Sequence, residues 1–159
     1  MPDAVDIIEL TRQLVAFNTI NPPGNEDSCA RLVGSLLSEA GFAVTYHELE
    51  EQRTSVVARR GRHVQGSNGS RSAKPICLTG HLDTVPLGAT KWSVDPFAGE
   101  VVEGKLFGRG STDMKAGIAA MVAAAVANAE HLHLIEQSVT IYGDILRDWQ
   151  LADQRAGES

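Results

Sequence analysis

The sequence predicts an α/β fold, a mixed sheet with helices on both faces, and three observations carry that prediction. Two stretches near the N-terminus space their apolar residues by threes and fours, the pattern of helices with one buried stripe. Four short runs, 42–46, 54–58, 75–79 and 138–142, are rich in β-branched or apolar residues and read as strands. A third helical stretch, rich in alanine, separates the last two of those runs. Helix, helix, strand, strand, strand, helix, strand is the element order of an α/β sheet.

The first helix rests on Ala4, Ile7, Ile8, Thr11, Leu14 and Val15, and the Asn18–Gly24 segment stops it, because two prolines and a glycine cannot continue a helix. In the second, Cys29, Leu32, Val33, Leu36, Leu37 and Ala40 form an unbroken stripe, and Gly41 stands at the C′ position that ends it. Phe42, Val44 and Tyr46 then alternate as a half-buried strand, with His47 as a solvated strand-end residue. Thr54–Ala58 is a second strand, and residues 59–74 follow it with four arginines, one lysine and no acid among glycines and serines. That composition reads as a flexible, solvated basic loop. Pro75–Thr79 reads as a buried strand closed by Gly80.

Trp92 and Phe97 bracket a proline turn that should pack over the sheet edge. Glu103-Gly104 is a two-residue hairpin signal between 97–102 and 105–107. Beyond Asp113, Ile118, Met121, Val122, Ala125, Val126 and Ala129 share a helical face, and the alanines elsewhere predict nearly complete burial. His131 and His133, two apart, would diverge on a helix and form no joint metal site.

Length and composition set the outer limits. One hundred and fifty-nine residues predict one domain with a real core. A formal net charge of -6 gives no basic excess of the kind nucleic-acid binding requires. The longest apolar run, Ile118–Ala127, is too short and alanine-rich to span a bilayer, so no membrane partner is expected. Acidic residues stand near the start where a signal peptide would be basic, and Cys29 and Cys77 read as reduced thiols, which places the chain in the cytoplasm.

Two motifs carry chemistry. Gly80-His81-Leu82-Asp83-Thr84 follows the 75–79 strand, and in extended backbone His81 and Asp83 point to the same side. A carboxylate there would orient the imidazole of a metal-binding histidine. Gly108-Arg109-Gly110-Ser111-Thr112-Asp113 sets a second carboxylate where a glycine-rich turn meets a helix. Nitrogen and oxygen donors of this kind suit a divalent ion such as zinc. The second motif lacks the third glycine of a dinucleotide fingerprint and the Gly-Lys-Ser/Thr of a phosphate loop, which rules out a nucleotide reading.

Together, over residues 5 to 142, the motifs resemble the zinc-dependent amidohydrolase and metallopeptidase family. That family includes acetylornithine deacetylase, succinyl-diaminopimelate desuccinylase, aminoacylases and glutamate carboxypeptidases. The resemblance implies that His81 binds one zinc, that Asp83 is the catalytic-site carboxylate orienting it, and that Asp113 bridges two zincs, with cobalt able to substitute. It implies a non-proline cis peptide after Asp113, a position near the cleft for the 18–24 loop, and a small N-acylated amino acid as substrate.

The resemblance ends after Ser138–Tyr142, where the family continues into Asp-Glu-Glu, a general base and a zinc ligand. Here Gly143-Asp144-Ile145-Leu146 puts hydrocarbon where both carboxylates belong. The expectation is therefore an incomplete zinc-peptidase-like catalytic domain. Residues 1–142 form its N-terminal part, and 143–159 are a disordered tail outside the family, produced by a frameshift or truncation. Such a fragment would be inactive alone and would self-associate through its truncated sheet. The competing class is a non-catalytic metal-binding or interaction fragment.

Overall fold

A computed structural model of the chain describes residues 4–61, 76–129 and 137–142. Helix α1 (Ile7–Ala16) starts where Asp6 caps it, the carboxylate accepting from the Ile8 and Glu9 amides. Helix α2 (Asp27–Glu39) follows, then strands β1 (Ala43–Glu50), β2 (Arg53–Arg60) and β3 (Ile76–His81). A separate small hairpin pairs β4 (Val101–Val102) with β5 (Lys105–Leu106). One wide, irregular turn at Ser111–Lys115 leads into helix α3 (Ala116–Ala127), and β6 (Gln137–Tyr142) closes the order.

The main sheet is mixed and runs β1-β2-β6-β3. Hairpin geometry makes β1 and β2 antiparallel, and β6 inserts antiparallel to β2 and parallel to β3. A parallel pair needs a crossover, which α3 supplies. Both α2 and α3 pack on the sheet and also touch each other, so they cover one face, while α1 packs on α3. A mixed sheet with helices packed on it is the fold class that the sequence predicts. Between sheet and helices sits the core of Val33, Leu37, Val56, Ala58, Leu82, Ile118, Val122, Val139 and Ile141.

Several local expectations hold in detail. The α2 stripe buries Cys29, Val33 and Leu37, and Gly41 ends the helix at φ +83 with its amide donating to the Ser38 carbonyl. The Glu103-Gly104 hairpin forms with both residues at positive φ. Cys29 and Cys77 are unpaired thiols.

Other expectations need correction. On α1, Ile7 and Ile8 are 44% and 61% exposed, because the first turn projects past the core and Leu10 takes the inward position. Strand β3 is not buried: among the described residues it is an edge strand with Ile76 and Cys77 exposed, because β6 enters between it and β2. The strand also runs through His81, so the histidine is its last residue. Tyr46 is exposed, on a β1 that forms the opposite edge and continues to Glu50. Arg59 and Arg60 belong to β2 and not to a loop, paired with Ala43 of β1 and with β6. The Arg60 stem crosses the end of α2, stacking on Phe42 and donating to the Ala40 carbonyl. Helix α3 is open along Ala120, Ala124 and Ala127, so its burial is one-sided. His63, His131, His133 and the 143–159 segment lie outside the described residues.

Candidate metal centre

His81 closes β3, and the chain turns so that Asp83 folds back beside it. The Asp83 Oδ1 oxygen stands 3.0 Å from His81 Nδ1. This pairing leaves Nε2 as the free ring nitrogen, 3.3 Å from Asp113 Oδ1. Asp113 reaches that point from the Ser111–Lys115 turn, where Asp113 and Met114 leave helical dihedrals and the peptide between them is cis. The three residues singled out by the sequence are thus brought together, with Asp83 buried and the Asp113 carboxylate open.

Whether these donors fit a zinc ion is a question of spacing. Two ligands each about 2.0–2.2 Å from a tetrahedral ion stand about 3.3–3.6 Å apart. The 3.3 Å between His81 Nε2 and Asp113 Oδ1 is that separation. One nitrogen and one oxygen donor, with the second ring nitrogen held by a carboxylate, is also a donor chemistry that zinc accepts. No third metal-ligating side chain joins them among the described residues.

Electrostatics at the site follow from the pairing. The hydrogen bond to Asp83 raises the His81 imidazole above its ordinary pKa against the opposing effect of burial. Burial would raise the Asp83 carboxyl, but hydrogen bonds from His81 and Asn21 outweigh it and hold that group low. The three residues line a cleft of about 480 Å³ together with Thr84, Val85, Trp92, Arg109, Ser111 and Thr112.

Sequence reasoning missed what surrounds this centre. Trp92, expected only to pack, lines the cleft with its indole donating to the Leu87 carbonyl and the Arg109 guanidinium 5.2 Å from its ring centre. Lys115 is fully buried, its ammonium donating to the Phe17 carbonyl, and burial lowers its pKa. Asn21, in the loop that the resemblance placed near the cleft, donates to Asp83 Oδ2 at 3.2 Å. The backbone holds that loop in place: Thr84 N donates to Thr19 O, and Asn21 N to Thr84 O. No spacing rule links positions 62 residues apart. The only local signal was the Pro-Pro-Gly stop, which marks a loop without saying where it lies.

Comparison with known proteins agrees with the motifs. Residues 77–142 match the model of peptidase family M20/M25/M40. That segment belongs to this family. Two succinyl-diaminopimelate desuccinylases are among the relatives of the chain. One, from a Wolbachia of Brugia malayi, is 37% identical over 123 residues, and one from a Ruegeria strain is 42% identical over 128. Each alignment covers 77% of this chain and 29% of the relative, so the chain spans less than a third of their length. The fold is similar to that of human carnosine dipeptidase 1, with a TM-score of 0.63 at 22% identity, over 86% of this chain and 31% of that one.

Proposed function

We propose that this chain supplies the N-terminal, metal-binding part of the catalytic domain of a zinc-dependent hydrolase that cleaves N-acyl amide bonds. The bonds would be of the deacetylase, desuccinylase or carboxypeptidase kind. The observation that carries this reading is the 3.3 Å spacing of His81 Nε2 and Asp113 Oδ1, with Asp83 seated on the other ring nitrogen. The family match over 77–142 and the desuccinylase relatives support it independently.

His81 and Asp113 would hold the metal. Asp83 keeps the imidazole turned so that Nε2, and not Nδ1, faces the cleft. In the whole enzyme Asp113 would bridge two zinc ions, for which cobalt would substitute. The chemistry a bound zinc supplies is Lewis-acid activation of water and of an amide carbonyl. The cleft beside it is of a size for a small N-acylated amino acid.

The 159-residue chain alone would not turn over. Two donors hold an ion weakly, and Ile145-Leu146 stand in the sequence where the resembled family carries its general base and a zinc ligand. Self-association through the edge of β3 that has no strand partner among the described residues, and residence in a reducing cytoplasm, where the two thiols stay free, belong to the same proposal.

The test is an assay of the purified chain with excess zinc on N-succinyl-diaminopimelate and N-acetylornithine, beside a zinc titration of wild type and His81→Ala. We expect zinc binding that His81→Ala abolishes, and no turnover. Turnover of about 1–10³ s⁻¹ that depends on His81 would overturn the inactivity. Zinc binding indifferent to His81 would favour a non-catalytic module.

A further inference from the structure

We propose that Asn21 and Arg53 are positioning residues for the His81 imidazole, the outer members of a hydrogen-bonded array that runs from a buried glutamate to the metal-binding nitrogen. The inference rests on the metal reading above, since it concerns how that nitrogen is aimed.

The array can be followed atom by atom. Arg53 Nε donates to Glu26 Oε2 at 3.1 Å, with the arginine side chain 11% exposed and the glutamate 0%. Arg53 Nη1 donates to Asn21 Oδ1 at 3.3 Å and to the Pro23 carbonyl at 3.1 Å. Asn21 Nδ2 donates to Asp83 Oδ2 at 3.2 Å, and Asp83 Oδ1 meets His81 Nδ1 at 3.0 Å.

Each link removes a freedom that would otherwise blur the centre. The Asp83 carboxylate uses one oxygen on the imidazole and the other on Asn21, so it cannot rotate about its last bond without losing a partner. The Asn21 amide is fixed in turn, because its oxygen faces a cation and its nitrogen an anion. Arg53 is suited to this place because its planar fork holds its donors to the glutamate and the amide in one fixed geometry, where a lysine ammonium is a point charge on a flexible stem. Gly24 leaves the room: a Cβ there would stand 2.6 Å from Arg53 Cζ and 2.7 Å from Glu26 Oε1.

A purely structural ion pair would need none of this alignment, and the experiment separates the two roles. The ring ¹⁵N shifts of His81 are recorded in the metal-free 159-residue chain, and zinc affinity is measured by calorimetric titration. Wild type, Asn21→Leu and Arg53→Lys are compared, the last keeping a cation against Glu26. Recorded at a pH where the ring is neutral, wild type should show one fixed ring tautomer, protonated at Nδ1. Asn21→Leu should move those shifts toward the average of the two tautomers and weaken zinc binding about 10–100-fold, the usual effect of losing such an outer partner. Arg53→Lys should act in the same direction by less.

Unchanged ring shifts and an affinity within about twofold of wild type in folded Asn21→Leu would overturn the proposal. If that variant does not fold, the same two readouts on Arg53→Lys decide. A wild type that binds no zinc, but whose ring shifts respond to Asn21→Leu, would remove the metal reading and leave the positioning role standing.

Discussion

At the scale of single residues, the site is a problem of aiming one lone pair. Asp83→Asn keeps the shape beside His81 but not the charge, and should weaken zinc binding about 10–100-fold in a competition titration. A second consequence concerns pH. Burial pushes the Glu26 carboxyl up to about 7, against the pull of Arg53. The folded state then holds a proton that the unfolded chain releases near its ordinary 4.5. This contribution to stability is complete below about pH 4.5 and is lost as pH rises to about 7, by at most about 1.4 kcal/mol per unit. Asp83 acts in the opposite sense, because its depressed carboxyl contributes stability above its ordinary range and loses it as the solution turns acid. Urea midpoints measured across this range should fall from pH 5 to pH 7 in wild type and fall by less in Glu26→Gln, where only the raised His81 imidazole still loses stability toward pH 7. Of these residues, His81, Asp83 and Asp113, which the structure brings together, each sit in a short motif at a turn that the sequence displays. Glu26, Asn21 and Arg53 were not, since their meaning lies in contacts across 27 to 62 residues of chain.

At the scale of elements, what was legible is what local physics decides. The α2 stripe with its glycine stop and the Glu103-Gly104 hairpin were readable because spacing and turn chemistry fix them within a few residues. The status of β3 was not. An apolar run closed by proline and glycine looks the same whether its strand is central or at an edge, and here the outcome depends on β6, which arrives some sixty positions later. The loop between α1 and α2 is sensitive to change at Gly24. Gly24 lies at φ +82, and a Cβ added there would run into Arg53 and Glu26. Gly24→Ala should cost about 1–2 kcal/mol from the backbone alone, and more once the arginine is displaced. Chemical denaturation measures it, and a loss under about 0.5 kcal/mol would mean that the loop relaxes freely.

At the scale of the whole molecule, α3 carries the chain from one strand to its parallel neighbour. The crossover thereby sets the Asp113 turn against the end of β3. The register pairs His81 with Tyr142, so the end of β6 lies beside the candidate centre. Among the described residues, the outer edge of β3 has no strand partner and exposes Ile76. Sedimentation at rising concentration should show self-association, and Ile76→Lys should reduce it, since a charge on an edge strand blocks pairing. The most direct test of the centre itself is anomalous diffraction at the zinc edge from crystals of the chain grown with zinc. The account predicts a peak bonded to His81 Nε2 and Asp113 Oδ1, with Asp83 still on Nδ1. A zinc peak elsewhere, with these two side chains pointing apart, would contradict it.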